Sequence, residues 1–97
     1  MRIDKFLKVS RIIKRRTLAK EVCDAGRVQV GGRLAKAGTE VKPGDVIAID
    51  FGRRQLTVRV LEVREQVRAA EARELYEVIS EEFKPDSPLP YLEDDPD

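Results

Sequence analysis

The sequence has 97 residues, 41% of them hydrophobic, which is enough for one modest core and too few for two. It contains no histidine and one cysteine, so clustered Cys/His metal sites and an internal disulfide are excluded. The commonest acid–base group of enzymes is also missing. These counts predict a protein with no catalytic residues, no metal and no cofactor.

The charge is divided between the two halves of the sequence, although the net charge is only +1. Residues 1–42 carry a net +8 and residues 43–97 a net −7. Such asymmetry indicates a nucleic acid or membrane surface at one end, with two ordinary solvated surfaces as the alternative. No apolar run approaches the roughly 18 residues of a spanning helix, and MRIDKFLKV is too charged for a signal peptide. A reducing cytoplasm is the expected location.

The first nine residues have the spacing of an amphipathic helix. Ile3, Phe6 and Leu7 stand at i, i+3 and i+4, which places them on one helical face. The pattern predicts a helix over residues 2–9 that breaks near Ser10.

A second helix is expected to begin at Thr17, whose hydroxyl can accept a hydrogen bond from a first-turn N–H. Gly26 is expected to end this helix in the left-handed conformation. Cys23 lies on the apolar face without a histidine to activate it, so it is predicted to be a buried structural thiol. The apolar i, i+4 pairs are Leu18 with Val22 and Ala19 with Cys23.

After Gly26 the apolar residues alternate, which indicates antiparallel strands. Gly31-Gly32 can supply the positive φ angles of a tight turn, and Pro43-Gly44 marks a second turn. The predicted strands are 28–30, 46–51 and 55–63, and Leu61 and Val63 imply a bulge or two covered faces near the end of the last strand.

Residues 65–84 return to helical spacing and predict a C-terminal helix. Residues 85–97 contain four prolines and five acids and predict a disordered or extended tail. The predicted fold class is therefore α+β, with two N-terminal helices packed on a small antiparallel sheet in residues 1–64, then the helix and the flexible tail. The apolar seam of the C-terminal helix would be Ala72, Leu75, Ile79 and Phe83.

Packing the first two helices together directs their cationic side chains outward. Concentrated positive charge releases counterions from a phosphate backbone, and the arginine fork binds phosphate with two hydrogen bonds. The only aromatic residue of this region, Phe6, belongs to the core face, which disfavours stacking on single-stranded bases and favours structured RNA. Asp4 is expected to orient a neighbouring arginine. The candidate RNA-binding residues are Arg2, Lys5, Arg11, Lys14, Arg15, Arg16, Thr17 and Lys20.

Residues 1–60 resemble the RNA-binding domain named after ribosomal small-subunit protein four, the S-four domain (also called alpha-L). The downstream run VKPGDVIAI matches the Pro-Gly-Asp turn and strand of that family. At the earlier turn Gly31 replaces an asparagine, which keeps the turn geometry but loses a side-chain contact. The matching positions are Arg2, Ile3, Asp4, Leu7, Ser10, Arg11, Arg15, Arg16, Thr17, Ala19, Gly26, Val28, Val30 and Gly32.

The stretches DKFLKVSRIIKRRTLAKEV and FGRRQLTVRVLEV resemble a smaller family of stand-alone S-four proteins, the bacterial ribosome-associated quality control P (RqcP) family, related to heat-shock protein fifteen. The resemblance implies binding to large ribosomal subunits obstructed by peptidyl-tRNA. It also implies contacts with large-subunit ribosomal RNA and tRNA, and assistance to the tailing factor RqcH. The expected form is a monomer without a membrane partner.

Two other functions stay open from the sequence. The first is a general RNA chaperone or ribosome-assembly module of the same fold. The second is a protein-interaction module in which the C-terminal helix binds a partner and the cationic face is incidental. A preference for subunits that carry peptidyl-tRNA over empty ones would separate the quality-control role from the first alternative. Ribosome association that is unchanged by charge reversal at Arg2 and Arg16 would support the second.

Overall fold

The computed structural model describes residues 1–83. Two α-helices precede a five-stranded antiparallel sheet with strand order β2-β1-β3-β4-β5. This arrangement confirms the predicted α+β class. The elements are α1 (Ile3–Val9), α2 (Arg16–Asp24), β1 (Val28–Val30), β2 (Arg33–Leu34), β3 (Val46–Asp50), β4 (Arg54–Val60), a 3-10 helix (Ala69–Leu75) and β5 (Tyr76–Phe83).

The two helices pack on each other and bury their apolar faces as the spacing predicts. Helix α1 ends at Val9 with Ser10 as its C-cap residue, and Arg11 follows in the left-handed region with a φ of 62°. This turn redirects the chain so that both Ile12 and Ile13 enter the core. Arginine here takes a conformation that usually favours glycine.

The sheet follows from the alternation and turn chemistry of the sequence. Gly31 and Gly32 have φ angles of 60° and 84° and connect β1 to β2 in a tight hairpin. Alternate residues of β3 and β4 face the helices, which places the core between the helical pair and the sheet. The core includes Ile3, Phe6, Leu7, Ile13, Val22, Val28, Ile47, Ile49, Phe51, Val58 and Leu75.

The predicted C-terminal helix over 65–84 is wrong for most of its length. Only Ala69–Leu75 is helical, as a 3-10 helix, and Tyr76–Phe83 forms strand β5 against β4. The edge of β4 offers a row of unpaired backbone groups, and pairing with them outweighs the helical spacing of this segment. Ala72 and Leu75 are buried as predicted, whereas Ile79 and Phe83 are exposed.

Two smaller expectations also need correction. Helix α2 begins at Arg16 with Arg15 as its N-cap residue, so Thr17 is inside the first turn and does not cap it. The helix buries Ala19, Val22 and Cys23, and its start has no side-chain cap. The irregularity of β4 falls between Thr57 and Val58, where β5 carries an extra residue, and not near Leu61.

The predicted tail, residues 85–97, lies outside the described residues. Within residues 1–83, no helix has the length and apolar character needed to cross a membrane.

Candidate nucleic-acid interface

A buried carboxylate organises the cationic surface of the helical pair. The Asp4 side chain is only 3% exposed, and it accepts hydrogen bonds from the Arg2 Nε and Nη2 atoms at 3.3 Å each. The Arg16 Nη2 atom lies 3.4 Å from Asp4 Oδ1. The Arg2 and Arg16 side chains remain 51% and 48% exposed. Asp4 therefore fixes two guanidinium groups side by side while leaving them accessible, which confirms its predicted orienting role.

Local backbone structure positions this arginine pair. The Ile3 N–H donates to the Thr39 carbonyl at 2.7 Å, which ties the start of α1 to the loop after β2. Gly38 in that loop lies against the Arg2 guanidinium, at 3.9 Å from where a Cβ would stand. Arg16 opens α2, whose start has no side-chain cap, so its first-turn N–H groups and positive dipole end favour an anion.

A second group of cations lines a shallow groove beside the end of α1. The groove has a volume of about 360 Å³ and is also lined by residues 65–67, which include the acid Glu65. Lys8, Arg11 and Lys14 supply its positive charge. Arg11 projects from the left-handed turn after α1, so the backbone conformation itself aims this side chain.

Lys5 is the candidate that the structure places in an ion pair with the C-terminal region. Its Nζ atom donates to Glu65 Oε1, and this hydrogen bond lowers the pKa of the Glu65 carboxyl below its ordinary value. Phosphate would compete with the exposed Glu65 carboxylate for Lys5.

The remaining candidates, Arg15, Thr17 and Lys20, are exposed on or beside α2. The eight candidate residues thus divide into the Arg2–Arg16 pair, the Arg11–Lys14 groove, the α2 surface and Lys5, which pairs with Glu65. Arg27, next to this region in the sequence, pairs instead with Asp50 at 3.1 Å.

Sequence reasoning missed Lys8. This residue has the spacing of an ordinary solvated residue, and only the fold brings it into the groove of Arg11 and Lys14. A single sequence carries no signal for this contact.

Cys23 is buried in α2, as predicted. Burial, followed by the nearby charges of Asp4 and Asp24, raises the pKa of the Cys23 thiol to about 12. A protonated, enclosed thiol is a poor nucleophile. Among residues 1–83, no cluster of Cys, Asp or Glu could hold a metal ion.

The cationic helical pair lies within residues 1–47, which match the S4 domain family. A protein of Halalkalibacterium halodurans named RQC P-site tRNA stabilizing factor is 62% identical over 82 residues, covering 84% of this chain and 93% of that protein. This chain belongs to that RqcP-type family. The Bacillus subtilis protein of the same name is 52% identical and is covered over 95% of its length.

The S-four fold of this RqcP-type chain is also found in a solved structure. Heat shock protein 15 of Vibrio cholerae, described as trimeric, superposes with a TM-score of 0.76. The two chains are 32% identical, and the match covers 82% of each. The predicted relation to heat-shock protein fifteen is confirmed.

Proposed function

We propose that this chain is a non-catalytic RNA-binding factor that acts on large ribosomal subunits obstructed by peptidyl-tRNA. The observation that carries this proposal is the pair of exposed guanidinium groups held by buried Asp4. A fixed pair of arginine forks suits two neighbouring phosphates, because little side-chain freedom is lost on binding. The names of its close relatives, which refer to P-site tRNA, support tRNA as one of the RNAs.

The proposed surface contacts RNA through phosphate and shape. Arg2 and Arg16 form its centre, and Arg11, Lys14, Arg15, Thr17 and Lys20 extend it, with Lys8 added by the groove. Structured large-subunit ribosomal RNA and the tRNA would both fit such a surface, since neither needs aromatic stacking platforms. In this function the chain acts as a cytoplasmic monomer and holds the tRNA while RqcH extends the nascent chain at its carboxyl end.

Co-sedimentation tests the proposal. The purified protein is mixed with empty large subunits, large subunits that carry peptidyl-tRNA, and small subunits, at two salt concentrations. We expect retention on the tRNA-bearing large subunit and strong loss of it in an Arg2→Gln/Arg16→Gln variant. Glutamine is used because its amide can donate a hydrogen bond to buried Asp4, whereas a new carboxylate would repel it. Because Asp4 loses both guanidinium groups in this variant, circular dichroism and thermal unfolding must first show that the variant is folded at the assay temperature.

A matched control removes the same amount of charge elsewhere. The Arg53→Gln/Arg59→Gln variant alters an exposed turn and an exposed ion pair with Glu77. It should bind like the wild type. Equal binding of the wild type to all three particles would favour a general RNA chaperone or assembly module. Equal loss of binding in both variants would indicate nonspecific electrostatic attraction.

A further inference from the structure

A second groove, which we call the β5 groove, lies on the helical side of the sheet. It has a volume of about 390 Å³ and is lined by residues from the turn after α1, β4, the 3-10 helix and β5. Val78 is 55% exposed here, although its β4 partner Val58 is a buried core residue on the same side of the sheet. Tyr76 is half-buried and supplies an aromatic ring to the lining. The apolar and aromatic lining residues are Ile12, Leu56, Tyr76 and Val78.

The charged lining of the β5 groove has an excess of arginine. Three guanidinium groups and one carboxylate line it, which gives a net charge of +2. The carboxylate, Glu81, pairs with Arg54 at 2.8 Å, and Arg54 also lies over the Phe51 ring. Within the part of the chain that the structure describes, Arg11 and Arg73 have no acidic partner. These two guanidinium groups are therefore available to an anion.

Arg11 connects the β5 groove to the proposed RNA-binding surface. It also lines the groove that contains Lys8 and Lys14, so it belongs to both grooves. An RNA backbone that binds these three cations therefore comes within reach of Tyr76. The sequence gave no sign of an aromatic residue beside the cations other than buried Phe6, because Tyr76 is far from them along the chain.

The lining of the β5 groove suits a single nucleotide better than an acidic protein segment. A base has a flat face that stacks on an aromatic ring, and its neighbouring phosphates pair with guanidinium groups. Adenine, cytosine and guanine also carry an amino group, which can donate a hydrogen bond to a carboxylate such as Glu81. That carboxylate would repel the side chains of an acidic segment. An unpaired base can turn out of an RNA helix at the least cost, since no base pair is broken.

We propose that the β5 groove holds one unpaired nucleotide of the bound RNA, with a base that carries an amino group. The base stacks on Tyr76 and contacts Val78, and its amino group donates to Glu81. The phosphates on either side of it pair with Arg11 and Arg73. The inference rests on the proposed function, because the cationic helices must first hold the RNA. It adds one base contact to a surface that otherwise recognises phosphate and shape.

Two dye-labelled RNA hairpins test the inference by fluorescence anisotropy at low salt. They are identical except that one has a single unpaired adenosine, a bulge, in its stem. We expect the full chain to bind the bulged hairpin about tenfold more tightly, the size of one base-stacking contact. A bulged uridine has no exocyclic amino group and should give a smaller preference. In isotope-labelled protein, the amide signals of Arg73 and Val78 should shift with the bulged hairpin and not with the paired one.

Matched variants locate the base. Val78→Glu places a second carboxylate in the β5 groove and should remove the preference for the bulge. Ile79→Glu adds the same charge to the same strand outside the groove lining, and it should keep the preference. Both variants should bind the paired hairpin alike. If Val78→Glu does not fold, Tyr76→Leu serves in its place, because leucine keeps an apolar side chain for packing but removes the ring.

Three outcomes would overturn the inference. Equal binding of both hairpins, lost in Arg2→Gln/Arg16→Gln, would remove the nucleotide from the β5 groove and leave the proposed function intact. Failure to bind either hairpin would count against the cationic surface itself, and so against both proposals. The third outcome is an unchanged preference for the bulge in Val78→Glu together with weaker retention on large subunits that carry peptidyl-tRNA. That result would assign the groove to a protein segment.

Discussion

Two regions of this protein have similar apolar spacing but form different secondary structures. In residues 2–24 the apolar residues at helical intervals form α1 and α2, and Phe6 is completely buried. In residues 69–83 a similar spacing ends in a strand, and Phe83 is 71% exposed. The difference shows that periodicity describes which side chains could share a face. Whether that face is covered depends on the neighbouring backbone.

The two phenylalanines provide the largest expected contrast. Phe6→Ala should lower the free energy of unfolding by about 3–5 kcal/mol, because it empties a fully buried site between the helices and the sheet. Phe83→Ala should change it by no more than about 0.5 kcal/mol. Chemical denaturation of both variants measures the difference. A large loss in Phe83→Ala would mean that the β5 end is covered in solution.

Asp4→Asn should have the next largest effect. The amide cannot balance two guanidinium groups, so we expect the free energy of unfolding to fall by about 1–3 kcal/mol. RNA affinity should fall as well, because Arg2 and Arg16 lose their fixed orientation. Asp24→Asn, at an exposed position of α2, is the matched control and should leave both properties nearly unchanged. Equal behaviour of the two variants would contradict the role assigned to the buried carboxylate.

Arg11→Gly should separate stability from binding. Glycine removes the cost of the left-handed conformation at this turn, so the variant should be more stable by up to about 1 kcal/mol. It should also bind RNA less tightly, since a cation is lost. Arg11→Ala loses the same cation but keeps the backbone cost, so only Arg11→Gly should gain stability. Thermal unfolding and a binding titration at fixed salt distinguish the two effects.

The smallest expected effect concerns the ion pair between Lys5 of α1 and Glu65, which precedes the 3-10 helix. Glu65→Gln releases Lys5 and should raise RNA affinity slightly at low salt, with the gain disappearing at high salt. Glu62→Gln removes the same charge from the pair with Arg64 at 3.0 Å and should show less gain. Equal gains would indicate a general effect of net charge. Because its pKa is lowered, the Glu65 carboxylate pairs with Lys5 at neutral pH and releases it only as the pH falls through that lowered pKa.

The candidate surface was largely predictable because its determinants are local. Helical spacing turns Ile3 and Phe6 inward, and the arginines near them must then face solvent. The orienting role of Asp4 could also be expected, since an unpaired acid among phosphate-binding cations would repel RNA. The grouping of Lys8 with Arg11 and Lys14 was not predictable, because the groove that they share is also lined by residues 65–67, which are distant in sequence.

The sequence by itself determined the two helices, their turns, the central strands and the division of charge. Each of these follows from interactions within a few residues: apolar spacing, the positive φ of glycines and the alternation of β3 and β4. Only the tertiary structure decided the state of residues 76–83. Their spacing fits a helix, but the open edge of β4 offers backbone hydrogen bonds from distant residues, and those long-range bonds make the segment a strand.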